Sequence, residues 1–236
     1  MPHQSFPAMA IVGLAIAALA AVAAVPSNPT MPLAFKTHKI IEMLGVEGLR
    51  QEFTWHYDWT RQTEQMLYTQ HPVYPPNTTV LYVYHGTWNG SNTTCMDGNN
   101  SCATIYQWGP GAPCTGRNTS NLMDRLFGWI TSDMFTKEAA TYLSRDTKNA
   151  CDLWMHVEKG YYPTPFNETA CVAGAEAGVS GTPVPVYLHY REKGGPPLLN
   201  AEDDLYSSFV AGADFPPGTF DIPKDCPVTP QSRVVR

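Results

Sequence analysis

The chain has 236 residues, of which 43% are hydrophobic and only 15% are Asp, Glu, Lys or Arg. This length suits one domain or at most two small ones, and the composition excludes a collagen, a coiled coil and an acidic disordered tail. The net charge of −6 offers no basic surface for nucleic acid or anionic lipid headgroups, so nucleic acid is not an expected partner.

The N-terminal segment is uncharged, since residues 1–35 contain no Asp, Glu, Lys or Arg, and residues 8–25 are almost continuously apolar. An apolar run that ends in small residues, here Ala21 to Ala24 with Pro26 just beyond, is typical of a secretory signal peptide. We therefore expect residues 1–24 to be a cleaved signal peptide and residues 25–236 to form a single β domain. The alternative is an uncleaved membrane anchor at the short end of the spanning range.

The first clear element follows an ambiguous stretch. In residues 36–49, Ile40 and Leu44 have helical spacing, but two glycines near the end weaken that interpretation. Residues 52–60 then alternate strictly, with Phe53, Trp55, Tyr57 and Trp59 separated by polar side chains. A period of two with aromatic rings on one face predicts a strand.

Further strands are predicted in chain order over residues 79–85, 103–108, 139–144, 153–157 and 183–190. The segment 79–85 is apolar on both faces and should be a central strand. Pro185 predicts that the strand over 183–190 is an edge strand or is bulged.

Helical signals are few and short. Apolar residues repeat at four-residue intervals from Leu122 through Leu126 to Ile130, and Asn200 could cap a turn that continues through Leu205 to Phe209. The acidic residues 202–204 are interpreted as the N-terminus of that helix, where carboxylates favour the positive end of the dipole.

Glycosylation sequons and cysteines agree with secretion. Six sequons place N-glycans at Asn77, Asn89, Asn92, Asn99, Asn118 and Asn167. Such glycans would supply the solubility that charge does not. The cysteines are Cys95, Cys102, Cys114, Cys151, Cys171 and Cys226. An even set without zinc-ligand spacing predicts up to three disulfides in an oxidising compartment, with fifteen pairings possible.

Motifs for catalysis are missing, so we expect no enzyme. The segment Gly178–Gly181 is one residue short of a nucleophile elbow, and no histidine pair has the spacing of a metal site. The loop 97–101 offers oxygen ligands for calcium but lacks the ligand order of a calcium loop. A glycosylated Asx turn, closed by a bridge between Cys95 and Cys102, is the favoured interpretation. No metal and no cofactor are expected, with calcium kept as the alternative.

The most informative feature is aromatic. A row of four large rings on one sheet face must be covered by a second sheet, by helices or by a ligand. A packed sandwich core and a ligand cavity both satisfy this requirement. The candidate wall of a ligand site is Phe53, Trp55, Tyr57, Trp59, Tyr82, Tyr84 and Trp154, although the alternation also permits the opposite face.

A series of short motifs resembles the ependymin-like secreted glycoproteins, and is similar to the N-terminal region of counting-factor-associated papain-like proteases. The motifs are Tyr57-Asp58 with Arg61, Cys151-Asp152-Leu153-Trp154, Thr182 to Tyr187 after Cys171, Leu205-Tyr206-Ser207-Ser208-Phe209, and Phe220-Asp221-Ile222-Pro223-Lys224-Asp225-Cys226. The resemblance covers residues 53–226. It implies a fold of the LolA and LppX type, in which curved antiparallel sheets form a half-barrel or cup with a few short helices.

The resemblance also implies an extracellular, disulfide-bonded glycoprotein that binds hydrophobic ligands such as lipids, that often dimerises and that in some members binds calcium. The predicted function is therefore binding of an apolar small molecule or lipid in an aromatic β cup. The alternative is an adhesion or signalling glycoprotein that acts through its outer surface and uses the aromatic residues only as core.

Overall fold

The computed structural model describes residues 26, 28–44, 49–88, 93–95, 101–120, 122–123, 140–158, 166–174, 181–192, 201–212 and 214–229. Its strands are β1 (Ala34–Leu44), β2 (Arg50–Asp58), β3 (Thr63–Gln70), β4 (Thr78–Tyr84), β5 (Thr87–Trp88), β6 (Thr93–Thr94), β7 (Ala103–Gly109), β8 (Ala112–Thr119), β9 (Thr141–Asp146), β10 (Cys151–Glu158), β11 (Phe166–Ala173), β12 (Val184–Glu192), β13 (Ala201–Ala211) and β14 (Val228–Thr229). Within these ranges no helix is present, so the expected short helices are not seen there.

Twelve of these strands form one sheet in the order β14-β8-β7-β4-β3-β2-β1-β13-β12-β11-β10-β9. The pairing is antiparallel throughout, except that β14 lies parallel to β8. Strands β14 and β9 end the order, so the sheet is open. Because twisted sheets of this width curl, the fold is a mainly β, curved antiparallel cup.

The predicted strands are confirmed with small shifts at their ends. The segments expected from the sequence correspond to β2, β4, β7, β9, β10 and β12. Strand β4 lies between β3 and β7 and is central, as its apolar faces predict. Strand β12 is an interior strand, and the register of its pairing with β11 shifts between Cys171 and Val172, opposite Pro185. Pro185 lies at this bulge and also beyond the β12–β13 ladder, which begins only at Tyr187, so the strand is bulged and locally unpaired on one side where the proline sits.

The helix predicted after Asn200 is wrong, because residues 201–211 form β13. This strand pairs with β1 on one side and β12 on the other, so two hydrogen-bonded ladders override the local helix signal. The acidic residues 202–204 accordingly belong to a strand and not to a helix N-terminus. The other predicted helix, over 122–130, falls largely outside the described residues, as does the loop 97–101.

The ambiguous stretch after Lys36 also forms a strand, β1, which continues to Leu44. Its pairing with β2 is regular from Ala34 to Glu42. The pairing with β13 is interrupted by a bulge near Thr37, whose Oγ1 donates to the carbonyl of Ser207 at 2.9 Å. Ser208, within the same irregularity, has a φ of 52°, a left-handed conformation that a bulge demands.

The three disulfides are Cys95–Cys102, Cys114–Cys226 and Cys151–Cys171, with Cα–Cα distances of 4.5, 5.1 and 5.5 Å. All six cysteines are therefore paired, as an oxidising compartment predicts. The first bridge is the one expected to close the loop after Cys95. The third links neighbouring strands β10 and β11.

The outer face of the sheet is crossed by residues 214–229, which we call the C-terminal strap. Phe215 packs edge-on against His56 of β2, with ring centroids 5.7 Å apart. Gln65 of β3 donates its side-chain N–H to the carbonyl of Thr219. The strap then ends at β8, through the disulfide of Cys226 and the pairing of β14. It thus spans the outer face from β2 to β8 and leaves the opposite, inner face as the place of the aromatic row.

Candidate functional site: the aromatic inner face

The inner face is defined by the strand register. Residues directly opposite across an antiparallel ladder share a face, and Tyr57 of β2, Glu64 of β3 and Tyr82 of β4 lie opposite one another in turn. Phe35 of β1 lies opposite Tyr57 and extends the same row. A carboxyl group therefore occupies the centre of a row of aromatic rings.

Phe35 is fully buried and organises the rings around it. Its ring stacks on Tyr57 with centroids 4.7 Å apart, and Trp55 meets it edge-on at 5.1 Å. Phe209 of β13 stacks on it at 5.1 Å. These offset and edge-on geometries are those that aromatic rings prefer, so the wall is a specifically packed cluster.

All seven residues predicted as a ligand wall lie on this face. Tyr57, Tyr84 and Trp154 belong to a buried cluster with Phe35, and Trp59 packs against it. Phe53 belongs to a second cluster with Tyr68, Val80 and Ile105. Trp55 and Tyr82 pack against both clusters and so connect them. The strand alternation alone permits either face, and the register and packing place all seven on the same side.

Glu64 is held by two of these aromatic residues. The Tyr84 hydroxyl donates to one carboxyl oxygen, and Trp55 Nε1 donates to the other at 2.9 Å. Burial raises the pKa of Glu64, an effect that these two hydrogen bonds and the nearby charge of Lys39 partly oppose. The Glu64 carboxyl thus fixes the orientation of two wall residues.

A second polar group lies where β1 meets β13. The ammonium of Lys39 is 2.6 Å from Asp204 Oδ2, and it lies over the rings of Trp55 and Tyr206 at 5.3 and 5.5 Å. The Tyr206 hydroxyl is 3.4 Å from the same carboxylate and donates to it. Asp204 is 1% exposed. The inner face is therefore aromatic with a small charged patch, and not uniformly apolar.

Two tyrosines on this face, Tyr82 and Tyr206, remain neutral at ordinary pH. Burial, with help from the charge of Glu64, raises the pKa of Tyr82 to about 12. Burial and the charge of Asp204 likewise raise the pKa of Tyr206 well above its usual value. Their hydroxyls therefore act as hydrogen-bond donors and acceptors without carrying charge.

Sequence reasoning missed Phe35, Lys39, Glu64, Asp204 and Tyr206. The signal for some of them was present, since residues 35–41 and 202–206 each place the inner-face residues at every second position. Glu64 gave no such signal, because an isolated acid in a polar segment is ordinarily a surface residue. Only the register of β3 against β2 and β4 places it among the rings.

Of the predicted glycosylation sites, three lie in described residues. Asn77 is exposed in the turn before β4, with a φ of 66°. Asn118 in β8 and Asn167 in β11 are half-buried, and Asn118 accepts a hydrogen bond from Thr104 at 3.1 Å. Asn89, Asn92 and Asn99 lie outside the described residues. Asn77 is therefore the most accessible of the three.

Two of the motifs that carry the family resemblance meet in space. Asp58 Oδ1 accepts hydrogen bonds from the backbone N–H groups of Thr60 and Arg61, at 2.9 and 3.1 Å, and so shapes the turn between β2 and β3. The Arg61 side chain pairs with the same carboxylate at 3.2 Å and lies 5.9 Å from the ring of Phe220 in the C-terminal strap. The early Tyr-Asp motif thus contacts the motif that ends in Cys226.

These features define a mainly β, disulfide-bonded protein whose open, curved sheet carries an aromatic inner face. No family model matches the sequence, and no curated protein matches it. Among solved structures, the chain is similar to an uncharacterized conserved protein from Thermus thermophilus, with a TM-score of 0.49 and 7% sequence identity over 85% of this chain and 91% of that one. In the part of the chain that the structure describes, no helix has the length and apolar character needed to cross a membrane.

Proposed function

We propose that this protein is a secreted, N-glycosylated binding protein of ependymin-like type that holds an apolar small molecule or lipid against the inner face. The observation that carries the proposal is the incomplete burial of large rings there. Trp55, Tyr82, Tyr142 and Tyr190 pack against the buried aromatic cluster yet keep part of their surface accessible. Aromatic surface on the concave side of a sheet is where a hydrophobic guest gains most.

The driving force is the removal of apolar surface from water. Each Å² buried contributes about 25 cal/mol before the cost of association is subtracted. The rings that border both clusters, Trp55 and Tyr82, offer area at the centre of the face. The hydrogen bond from Trp55 to Glu64 fixes that ring in advance, which lowers the ordering cost of binding.

Secretion and glycosylation are supported by independent features. Three disulfides, with every cysteine paired, are typical of proteins from oxidising compartments. The apolar leader and the six sequons point to the same compartment. The contact between the Arg61 and Phe220 motifs supports the ependymin-like assignment, because it gives two separate landmarks one structural role.

The proposal is tested with the uncharged fluorescent probe N-phenyl-1-naphthylamine and the double variant Trp55→Ala, Trp59→Ala. Trp108→Ala is the matched control, because Trp108 lies opposite Thr79 and hence on the outer face. We expect the wild type and the control to bind the probe and the double variant to bind at least about tenfold more weakly.

Equal probe binding by all three proteins, each shown to be folded by circular dichroism, would contradict the assignment of the wall. Failure of the wild type to bind the probe would favour the alternative, in which the aromatic residues are only core and the glycosylated surface performs the function.

A further inference from the structure

The charged patch on the inner face specifies the polar end of a ligand. On β13, Glu202 and Asp204 share the inner face, since they lie opposite Tyr190 and Leu188 of β12. Across the other ladder, Asp204 lies opposite Ile41 of β1. Two carboxyl groups therefore lie side by side among apolar and aromatic neighbours.

The charges within this patch do not balance. Lys39 is close enough to influence Glu64, Glu202 and Asp204, so three carboxyl groups share one ammonium. Burial and the charge of Asp204 raise the pKa of Glu202 to about 7. Full ionisation of the patch leaves negative charge in excess, and a bound cation would offset it.

The hydrogen bonding of Asp204 is a second indication that a cation binds at this patch. Its Oδ2 pairs with Lys39 and accepts from Tyr206, while its Oδ1 is buried and has no donor besides the neighbouring carboxyl of Glu202. A buried carboxylate oxygen without a donor is unfavourable. Glu202 can donate a hydrogen bond to Asp204 only while its own carboxyl group is protonated. When Glu202 ionises, that donor is lost.

An anionic head group fits this patch poorly. The ammonium of Lys39 already pairs with Asp204 and lies over the rings of Trp55 and Tyr206. An anion would compete with Asp204 for that ammonium and would meet Glu202 as well. Aromatic ring faces attract cations and not anions.

We infer that the ligand of the inner face is a cationic amphiphile, with its ammonium head beside Glu202 and Asp204 and its apolar chain along the aromatic wall. This inference rests on the proposed function and adds the chemical class of the ligand. The head group takes the place of the proton that Glu202 holds in its acid form.

The test compares three probes of equal chain length at pH 8: dodecyltrimethylammonium, dodecanol and dodecanoate, each below its aggregation concentration. Displacement of N-phenyl-1-naphthylamine from the full chain gives the three affinities. We expect dodecyltrimethylammonium to bind at least about tenfold more tightly than dodecanoate, with dodecanol between them.

The variant Glu202→Gln should remove most of that preference while it keeps the pair between Lys39 and Asp204. The matched control is Asp203→Asn, because Asp203 is the adjacent residue, faces outward and pairs with His189 and Arg191. The control should keep the preference of the wild type.

Binding of dodecanol without any preference for the cation would overturn this inference and leave the proposed function standing. An equal loss of preference in both variants would also overturn it, because the effect would not belong to the inner face. Failure of all three probes to bind would overturn the inference together with the proposed function.

Discussion

Glu64 shows how a single residue links the wall to the sheet. Its carboxyl group is buried among rings and is satisfied by hydrogen bonds from Trp55 and Tyr84. Buried polar groups of this kind contribute modestly when paired and are costly when a partner is removed. The residue therefore constrains which substitutions the inner face tolerates.

The variant Tyr84→Phe removes one of these donors and keeps the ring. We expect it to lower the free energy of unfolding by about 1–3 kcal/mol, the usual cost of depriving a buried polar group of its partner. Urea unfolding followed by circular dichroism measures this loss. Tyr106→Phe, a change on the outer face of β7, should cost less than about 0.5 kcal/mol. Equal losses in the two variants would contradict the role of the Glu64 contact.

The raised pKa of Glu202 predicts that the free energy of unfolding depends on pH. Its pKa is about 7 in the folded protein against 4.5 for the free side chain, because it is buried beside Asp204 and close to Asp203, an effect that Lys39 only partly opposes. The folded state then holds more protons than the unfolded state between these values, so this residue makes stability fall as pH rises from about 4.5 through 7.

The variant Glu202→Gln should remove that contribution. Unfolding free energies of wild type and variant, measured by urea unfolding at four pH values from about 5 to about 8, should differ increasingly in favour of the variant as pH rises. Parallel curves for the two proteins would contradict the buried environment of Glu202.

At the scale of elements, the sequence predicts strands well where alternation is strong. The alternating rings predict strand β2, and the apolar residues of 79–85 predict the central strand β4. The structure has both strands. Strands β3 and β8 gave no such signal, because their residues are mostly polar and their pairing comes from neighbours distant in sequence.

The wrong helix prediction after Asn200 shows where a local sequence pattern fails. A capping residue followed by acids is a local signal, whereas β13 obtains its hydrogen bonds from β1 and β12, which no local pattern reports. Alternation of Glu202, Asp204 and Tyr206 was the feature that agreed with the fold. Alternation therefore indicates that Lys39, like Glu202 and Asp204, faces inward, whereas the contact between Lys39 and Asp204 depends on the pairing of β1 with β13.

The C-terminal strap gives a prediction at the same scale. Its disulfide joins Cys114 to Cys226 across 112 residues, whereas Cys95 and Cys102 are separated by only 7. A longer closed loop restricts the unfolded chain more, so replacing Cys114 and Cys226 by serine should cost about 2–5 kcal/mol. The same replacement at Cys95 and Cys102 should cost less. Guanidinium unfolding of both double variants measures the two losses of unfolding free energy. A larger loss for the Cys95 and Cys102 variant would contradict the role of the strap.

At the scale of the whole molecule, one sheet performs two tasks. Its outer face is crossed by the strap and fastened by a disulfide, while its inner face presents aromatic rings and a charged patch. The sequence predicts the β class and the presence of up to three disulfides, but it leaves fifteen pairings of the cysteines open. It does not predict the order of twelve strands, because that order depends on long-range pairing between segments with similar patterns.

The most direct test of a binding cup is native mass spectrometry of the full chain from a secretory host, followed by organic extraction of the same sample. We expect a folded, glycosylated protein that carries an additional small mass, and an extract that contains an apolar or amphipathic compound. A fully glycosylated protein that carries no extra mass and takes up none of the three dodecyl probes would contradict this expectation, and the aromatic inner face would then be a packed core.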